Sequence, residues 1–225
     1  ASFCYLRDRH GTCDSDQWPA PYRTGTASVI HALTDPRGAS FDEIAFHYYV
    51  QFHLHRQLTA AATYARSRGV VLKGDIPIGV SRHSADVWQY PGLFHLNTTT
   101  GAPPDFFSDT GQNWGFPTYN WQAMARDGYE WHRRRLRHLS SYMDAVRLDH
   151  VLGFFRIWAI PDDAVTALRG CFDPALPFSR SELAASGIDD PEAFCQVLID
   201  GPRLTDLFGD KTRGVIDASL ELAEP

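Results

Sequence analysis

Residues 43–67 contain neither proline nor glycine. Across them Ile44, Tyr48, Gln51, His55, Leu58, Ala62 and Ala65 recur at helical spacing. Ser40 or Asp42 stands where a cap belongs, and Gly69 stands where the helix must stop. The apolar run Val70–Val80 follows at once and reads as a strand entered through a turn, with Pro77 limiting its ladder. A second helical stretch over 118–140, broken at Gly128, leads to a second strand over 144–150. Helix, strand, helix, strand is the beat of a parallel α/β fold. A chain of 225 residues, 44% hydrophobic and 13% aromatic, has material for one large core or two small ones.

The flanks are less regular. Residues 1–9 read as a short strand, 10–26 as loop, 27–33 as a modest helix and 35–38 as a turn. Residues 151–161 pass from loop into a packed segment ended by Pro161, and Asp162 or Asp163 would cap a short helix to Leu168. From 171 the character changes. Ser179-Arg-Ser-Glu182 is a capping box for a helix ending at Gly187, and Asp190-Pro191 would open another. Gly201-Pro202 and Gly209-Asp210 separate further short helices. The expected division is 1–170, with a loop subdomain near 81–125, and a helical tail over 171–225.

A net charge of −6 without a dense Lys/Arg block argues against a nucleic-acid partner; His132–Arg137 reads as a solvated helix face. Cys4, Cys13, Cys171 and Cys195 lack metal or disulfide spacing and suit reduced thiols in the cytoplasm. No apolar run is long enough for a membrane span. His53 and His55 point to different helix faces, and His47 and His55 are two turns apart, so packing or hydrogen bonding explains them better than a metal. No cofactor is expected. The chain does not begin with Met, which suggests a segment of something longer.

Two stretches carry chemistry. In Asp144–Arg156 an apolar strand is interrupted by Arg147, Asp149 and His150. Alternation would send Val146 and Leu148 into packing, and Arg147 and Asp149 together to the other face. A neighbouring guanidinium keeps a carboxylate ionised, which suits a nucleophile at a strand end. A structural ion pair in a packed sheet would use the same residues. Residues 81–117 read as a long irregular segment rich in rings, amides and carboxylates. Trp114 would stack on a sugar ring while Asp105, Gln112 and Asn113 take its hydroxyls. The same aromatics would also give a long loop its own small core.

The stretches Lys73–Val80, Ser84–Trp88, Gly101–Ser108, Thr110–Gly115, Tyr119–Trp121 and Arg147–His150 together resemble the amylomaltases, 4-α-glucanotransferases of the α-amylase clan. The likeness runs over about residues 41–161. Phe46–His55 and Gly153–Trp158 resemble the large disproportionating-enzyme-2 type, which acts on maltose and branched glucans. The resemblance implies part of a (β/α)8 TIM barrel with a long substrate-covering loop. It implies that Asp149 is the nucleophile, held by Arg147, and that His150 contacts sugar. By the same likeness Asp105, Gln112 and Trp114 grip the glucan, and Asp75 has a supporting or substrate role. The implied partners are maltose, maltooligosaccharides and glycogen- or starch-like glucans, and the implied mechanism is retaining. The family's general-acid Glu motif has no counterpart after Asp149. The tail resembles the start of an insertion between nucleophile and acid. The chain therefore reads as an internal fragment, expected to be inactive and to fold poorly alone, or as a segment that only binds α-glucan. A clan hydrolase sharing the Arg-x-Asp pattern is the other alternative.

Overall fold

Phe3 and Leu6 are spaced for a helix, and the run ends in Arg7, Arg9 and His10 ahead of Gly11. In the computed structural model, which describes residues 1–188, 190–191 and 201–219, this run is helix α1 (Ser2–His10), not the expected strand. The alternation of Phe3 and Tyr5 suggests a strand. The basic last turn and a left-handed Gly11 (φ 68°) favour the helix. Phe3, Tyr5 and Leu6 pack with Trp18, Leu33, Ile44 and Trp88. This cluster joins α1 to α2 (Ala27–Leu33) and to the start of α3 (Phe41–Ser67).

Helix α3 spans the stretch expected of it, about 40 Å at 1.5 Å per residue. Ser40 occupies the N-cap position, but its hydroxyl donates to the Leu33 carbonyl instead of capping. Of the anticipated buried face, Ile44 and Ala62 are fully covered, whereas Tyr48 and Leu58 stay exposed. Polar ties fix the second half: His55 Nδ1 meets Tyr142 Oη at 2.8 Å, and Arg66 Nε donates to Asp144 Oδ1 at 2.6 Å.

Strands β1 (Lys73–Ile76) and β4 (Ala145–Leu148) form a parallel pair in which Asp75 stands opposite Arg147. Asp144 fixes its entry: its Oδ2 accepts the Leu72 amide and its own amide donates to the Leu72 carbonyl. Among the described residues no further strand pairs with either one. Val146 is therefore only partly covered and Leu148 remains 43% exposed, which corrects the expectation that both would be packed. The strand is also shorter than expected; Asp149 and His150 lie in the turn beyond it.

The segment expected to be irregular is largely folded. Ser84 caps α4 (Ala85–Gln89) through the Val87 amide. Strands β2 (Phe94–Ala102) and β3 (Gln112–Tyr119) then form an antiparallel hairpin. With β5 (Ile157–Pro161) and β6 (Cys171–Asp173) they make a sheet ordered β3-β2-β5-β6. Register shifts between His95 and Thr99 and between Thr100 and Gly101 break the alternation that would mark β2. Pro117 is tolerated because β3 is an edge strand. Helices α5 (Trp121–Ala125) and α6 (Glu130–Ser140) flank the expected break at Gly128. Ile78, Val87, Phe94, Tyr119, Met124, Trp131, Ile157 and Ala159 form the main core. After β5, Asp162 and Asp163 cap no helix. Residues 162–166 are turn, and a 3₁₀ turn at Ala167–Arg169 follows Thr166.

Strand β6 belongs to the first compact unit, which runs to Ala175. In the second unit, 176–225, the capping box over Ser179 and Glu182 opens α7 (Arg180–Ala185), which stops before a left-handed Gly187. The helix expected after Asp190-Pro191 lies outside the described residues. Helices α8 (Gly201–Phe208) and α9 (Thr212–Ser219) are separated at Gly209, as anticipated, while Gly201-Pro202 begins α8. No helix among the described residues is long and apolar enough to cross a membrane.

Candidate active site

A parallel strand pair delivers whatever follows each strand to one common end. Asp75 and Arg147 face one another in register near that end, and the Asp149 amide donates to the Ile76 carbonyl at 3.0 Å. Arg147 Nε donates to both oxygens of Asp75, at 2.9 and 3.0 Å, and Nη2 donates to Oδ2 at 2.5 Å. The same Nη2 lies 3.5 Å from Asp149 Oδ1. The arginine therefore bridges two carboxylates, with its short contacts on Asp75 where the strand alternation pointed to Asp149. Its side-chain hydrogen bonds, more than its charge, hold the Asp75 carboxyl below the usual carboxylate range. The same hydrogen bonds, then charge, raise the Arg147 guanidinium. All three side chains are about half exposed, so added salt screens the cluster.

Asp149 and His150 line a cavity of about 500 Å³ with Trp114, Pro77, Ile78 and Phe116. His150 adopts left-handed backbone angles (φ 48°, ψ 56°), uncommon for a residue with a side chain. Its ring meets the Trp114 ring edge-on, centroids 4.9 Å apart. Trp114 Nε1 donates to Gln112 Oε1 at 2.9 Å, so Gln112 fixes the indole. Asn113 Oδ1 accepts the Gly115 amide and serves the turn. Asp105 stands apart from the cavity lining. Its Oδ1 accepts the amides of Phe107 and Ser108, closing the tip between β2 and β3. That tip displays Phe106 and Phe107, 96% and 87% exposed, with their rings edge to face.

Asp149, His150 and Trp114 are thus brought together, Asp75, Arg147 and Gln112 support them, and Asp105 lies on the hairpin tip. Sequence reading missed the apolar walls Pro77, Ile78 and Phe116. Their signal is the Ile-Pro-Ile run after β1 and the aromatic two positions beyond Trp114. A larger groove of about 690 Å³ among α1, α2 and the turn before α3 has no carboxylate in its lining, so it offers no nucleophile of this kind.

The α3 histidines do not gather. His47 Nε2 lies 3.7 Å from Asp8, His53 packs on Tyr49, and His55 bonds Tyr142. Among the described residues no group of three His, Cys, Asp or Glu side chains is arranged to hold a metal.

A family model described as 4-alpha-glucanotransferase matches residues 1–185. The 4-alpha-glucanotransferase DPE2 of Oryza sativa subsp. japonica is 48% identical over 209 residues, which cover 93% of this chain and 22% of that protein. A 4-alpha-glucanotransferase of Thermus thermophilus is 38% identical over 176 residues, 76% of this chain and 35% of the relative. Amylomaltase from Streptococcus agalactiae, solved in complex with acarbose, superposes with a TM-score of 0.68 at 27% identity. That match covers 97% of this chain and 48% of the amylomaltase chain. The chain spans less than half the length of each of these relatives. With a matching family model over most of its residues and a cluster of Asp75, Arg147, Asp149, His150 and Trp114 at the end of its parallel strands, the chain belongs to the 4-alpha-glucanotransferase family.

Proposed function

We propose that this chain supplies the nucleophile side of a retaining 4-α-glucanotransferase built on a (β/α)8 TIM barrel. One observation carries the reading: Asp149, His150 and Trp114 line a single cavity beside the Asp75–Arg147 pair. In this reading an Asp149 oxygen attacks the anomeric carbon of an α-1,4-glucan. The glycosidic C–O bond breaks, and the departing oxygen takes a proton from a carboxylic acid. A sugar hydroxyl then attacks the same carbon, the bond to Asp149 breaks, and the hydroxyl proton passes to the carboxylate left by the first step. His150 and Trp114 bind the sugar, Gln112 fixes Trp114, and the Asp105 hairpin covers the glucan. Excluding bulk water would favour transfer over hydrolysis. The donors and acceptors are maltose, maltooligosaccharides and glycogen- or starch-like glucans. The scattered cysteines suit a cytoplasmic setting, and the tail over 171–225 reads as the start of an insertion.

The acid must come from outside this cavity. Among the described residues Asp149 is the only carboxylate in its lining, and Arg147 keeps Asp75 ionised, which unfits it to donate a proton. Glu43 lies in the first turn of α3 and Glu130 in the first turn of α6, and neither lines the cavity. A second reading follows from that single carboxylate: a segment that binds α-glucan without turning it over.

A 5-fluoro-α-maltosyl fluoride separates the two, because fluoride departs without an acid. Mass spectrometry of the treated chain should find one added 5-fluoromaltosyl group on the peptide containing Asp149, and none in Asp149→Asn. Binding without labelling would favour the second reading. In a protein that also carries the acid, maltose with glycogen should give extended glucans; free sugars alone would indicate a hydrolase.

A further inference from the structure

His150 and Gly153 close a turn, the Gly153 amide donating to the His150 carbonyl at 2.9 Å. Gly153 is buried, and its φ lies outside the left-handed region, so its backbone does not demand a glycine. Space does. A Cβ at this position would stand 2.7 Å from Ile157 Cδ1, 2.8 Å from His150 Cδ2 and 3.0 Å from Ile78 Cδ1. The two isoleucine atoms are methyl ends that can swing aside. The imidazole carbon belongs to a rigid ring on a left-handed backbone, and on that ring the Trp114 indole also packs. Trp114 is itself tied to Gln112. The ring thus packs against both the bare Cα of Gly153 and the indole.

We propose that Gly153 is a positioning residue that sets where the His150 imidazole sits in the cavity beside Asp149, and so sets affinity for the sugar bound there. This rests on the α-glucan reading above. A side chain at 153 displaces the imidazole and costs the contact that His150 makes with the sugar. Losing one hydrogen bond of this kind weakens binding by about fivefold to tenfold.

The test uses the 225-residue chain with acarbose as the probe, by calorimetric titration, and the His150 ring resonances by NMR. Gly153→Ala is expected to move those resonances without ligand and to weaken acarbose binding about fivefold to tenfold. In a His150→Ala background the same change should alter affinity by less than about twofold, because the group it displaces is gone. Gly153→Ala combined with Ile157→Val deletes the methyl the new Cβ would meet while keeping the imidazole contact. This pair guards against simple misfolding and should show the same loss. Unchanged affinity in Gly153→Ala, or an equal loss with and without His150, overturns the inference alone. No acarbose binding by the unaltered chain overturns the α-glucan reading and the inference with it.

Discussion

Arg147 grips Asp75 through three donor contacts of 2.5 to 3.0 Å and reaches Asp149 with one at 3.5 Å. The two strands place Asp75 and Arg147 opposite each other, so the grip is a cross-strand pair built into the parallel ladder. Asp149 lies one residue beyond β4, pinned by its amide to the end of β1. The fork on Asp75 therefore fixes the guanidinium, whose Nη2 faces Asp149 as well. In this arrangement Asp75 acts at one remove on Asp149, the proposed nucleophile.

Asp75→Asn is expected to keep the strand pair and to loosen Arg147, since a neutral amide offers a single acceptor oxygen. Arg147→Lys keeps the charge but cannot form the fork. A misplacement of about 1 Å at a reacting group costs about a hundredfold in rate. Labelling of Asp149 by the maltosyl fluoride should slow by about that factor in either variant, while acarbose affinity changes by less than about threefold. A labelling rate within twofold of the unaltered chain would remove Asp75 from any positioning role.

Asp105 is expected to serve its own turn. Asp105→Ala removes the acceptor of two backbone amides at the hairpin tip. Hydrogen exchange at Phe107 and Ser108 should accelerate by about fivefold, from the loss of roughly 1 kcal/mol of local stability. The global unfolding midpoint should move by less than about 0.5 kcal/mol. Any fall in acarbose affinity should then be matched by Phe106→Ala with Phe107→Ala, because the carboxylate would act by presenting those rings. A fall on Asp105→Ala with no effect of the double alanine would instead give the carboxylate a direct contact.

The long α3, the β1 and β4 strands and the α7 capping box were legible because each rests on local chemistry: a run free of Pro and Gly, an apolar run closed by Pro77, and Ser179 three residues before Glu182. The β2–β3 hairpin was hidden because its bulges, Gly115 and Pro117 mimic loop sequence, and only its edge position makes them tolerable. In the site, the sequence could name Arg147 and Asp149 as near neighbours, though Asp149 falls in the turn just past β4. It could not place Asp75 opposite Arg147, because register between strands 72 residues apart is set by tertiary packing. The left-handed His150 and the space Gly153 leaves for it carry no residue-level signal of their own.

Trp131 should be a costly truncation in the first unit. It is 3% exposed, meets Phe94 edge-on at 5.7 Å and Tyr119 at 5.7 Å, and its Nε1 donates to Asp86 at 3.0 Å. Trp131→Ala should destabilise by about 3–5 kcal/mol, enough to unfold a marginal unit. Trp131→Phe keeps most of the ring area and loses the indole donor, costing about 1–3 kcal/mol and leaving the Asp86 acceptor unpaired. Urea unfolding of the two variants orders them; equal losses would mean that the hydrogen bond, not the ring, carries the site.

His132 makes the fold sensitive to acid. Its ring stacks on Trp121 at 5.3 Å and meets Tyr119, Trp131 and Phe154 edge-on, with Arg135 the charged neighbour on its own helix. Its Nε2 is buried without a partner. Burial first, and the Arg135 charge second, push its pKa down to about 4 from an ordinary value of 6.5. The folded state thus prefers neutral His132. The stabilisation is fully present above pH 6.5, where the unfolded chain is neutral too, and it falls as pH drops from 6.5 toward 4, where only the unfolded chain takes up the proton. After a discount for the part of the ring that remains solvated, the loss is roughly 1–2 kcal/mol over that window. His132→Phe fills the same aromatic cage and removes both the proton site and the orphaned nitrogen. Unfolding free energies in urea at pH 7.5 and pH 5 should differ for the unaltered chain and differ by roughly 1 kcal/mol less for the variant, since pH 5 crosses only part of the window. An identical acid loss in both would assign the sensitivity to other groups.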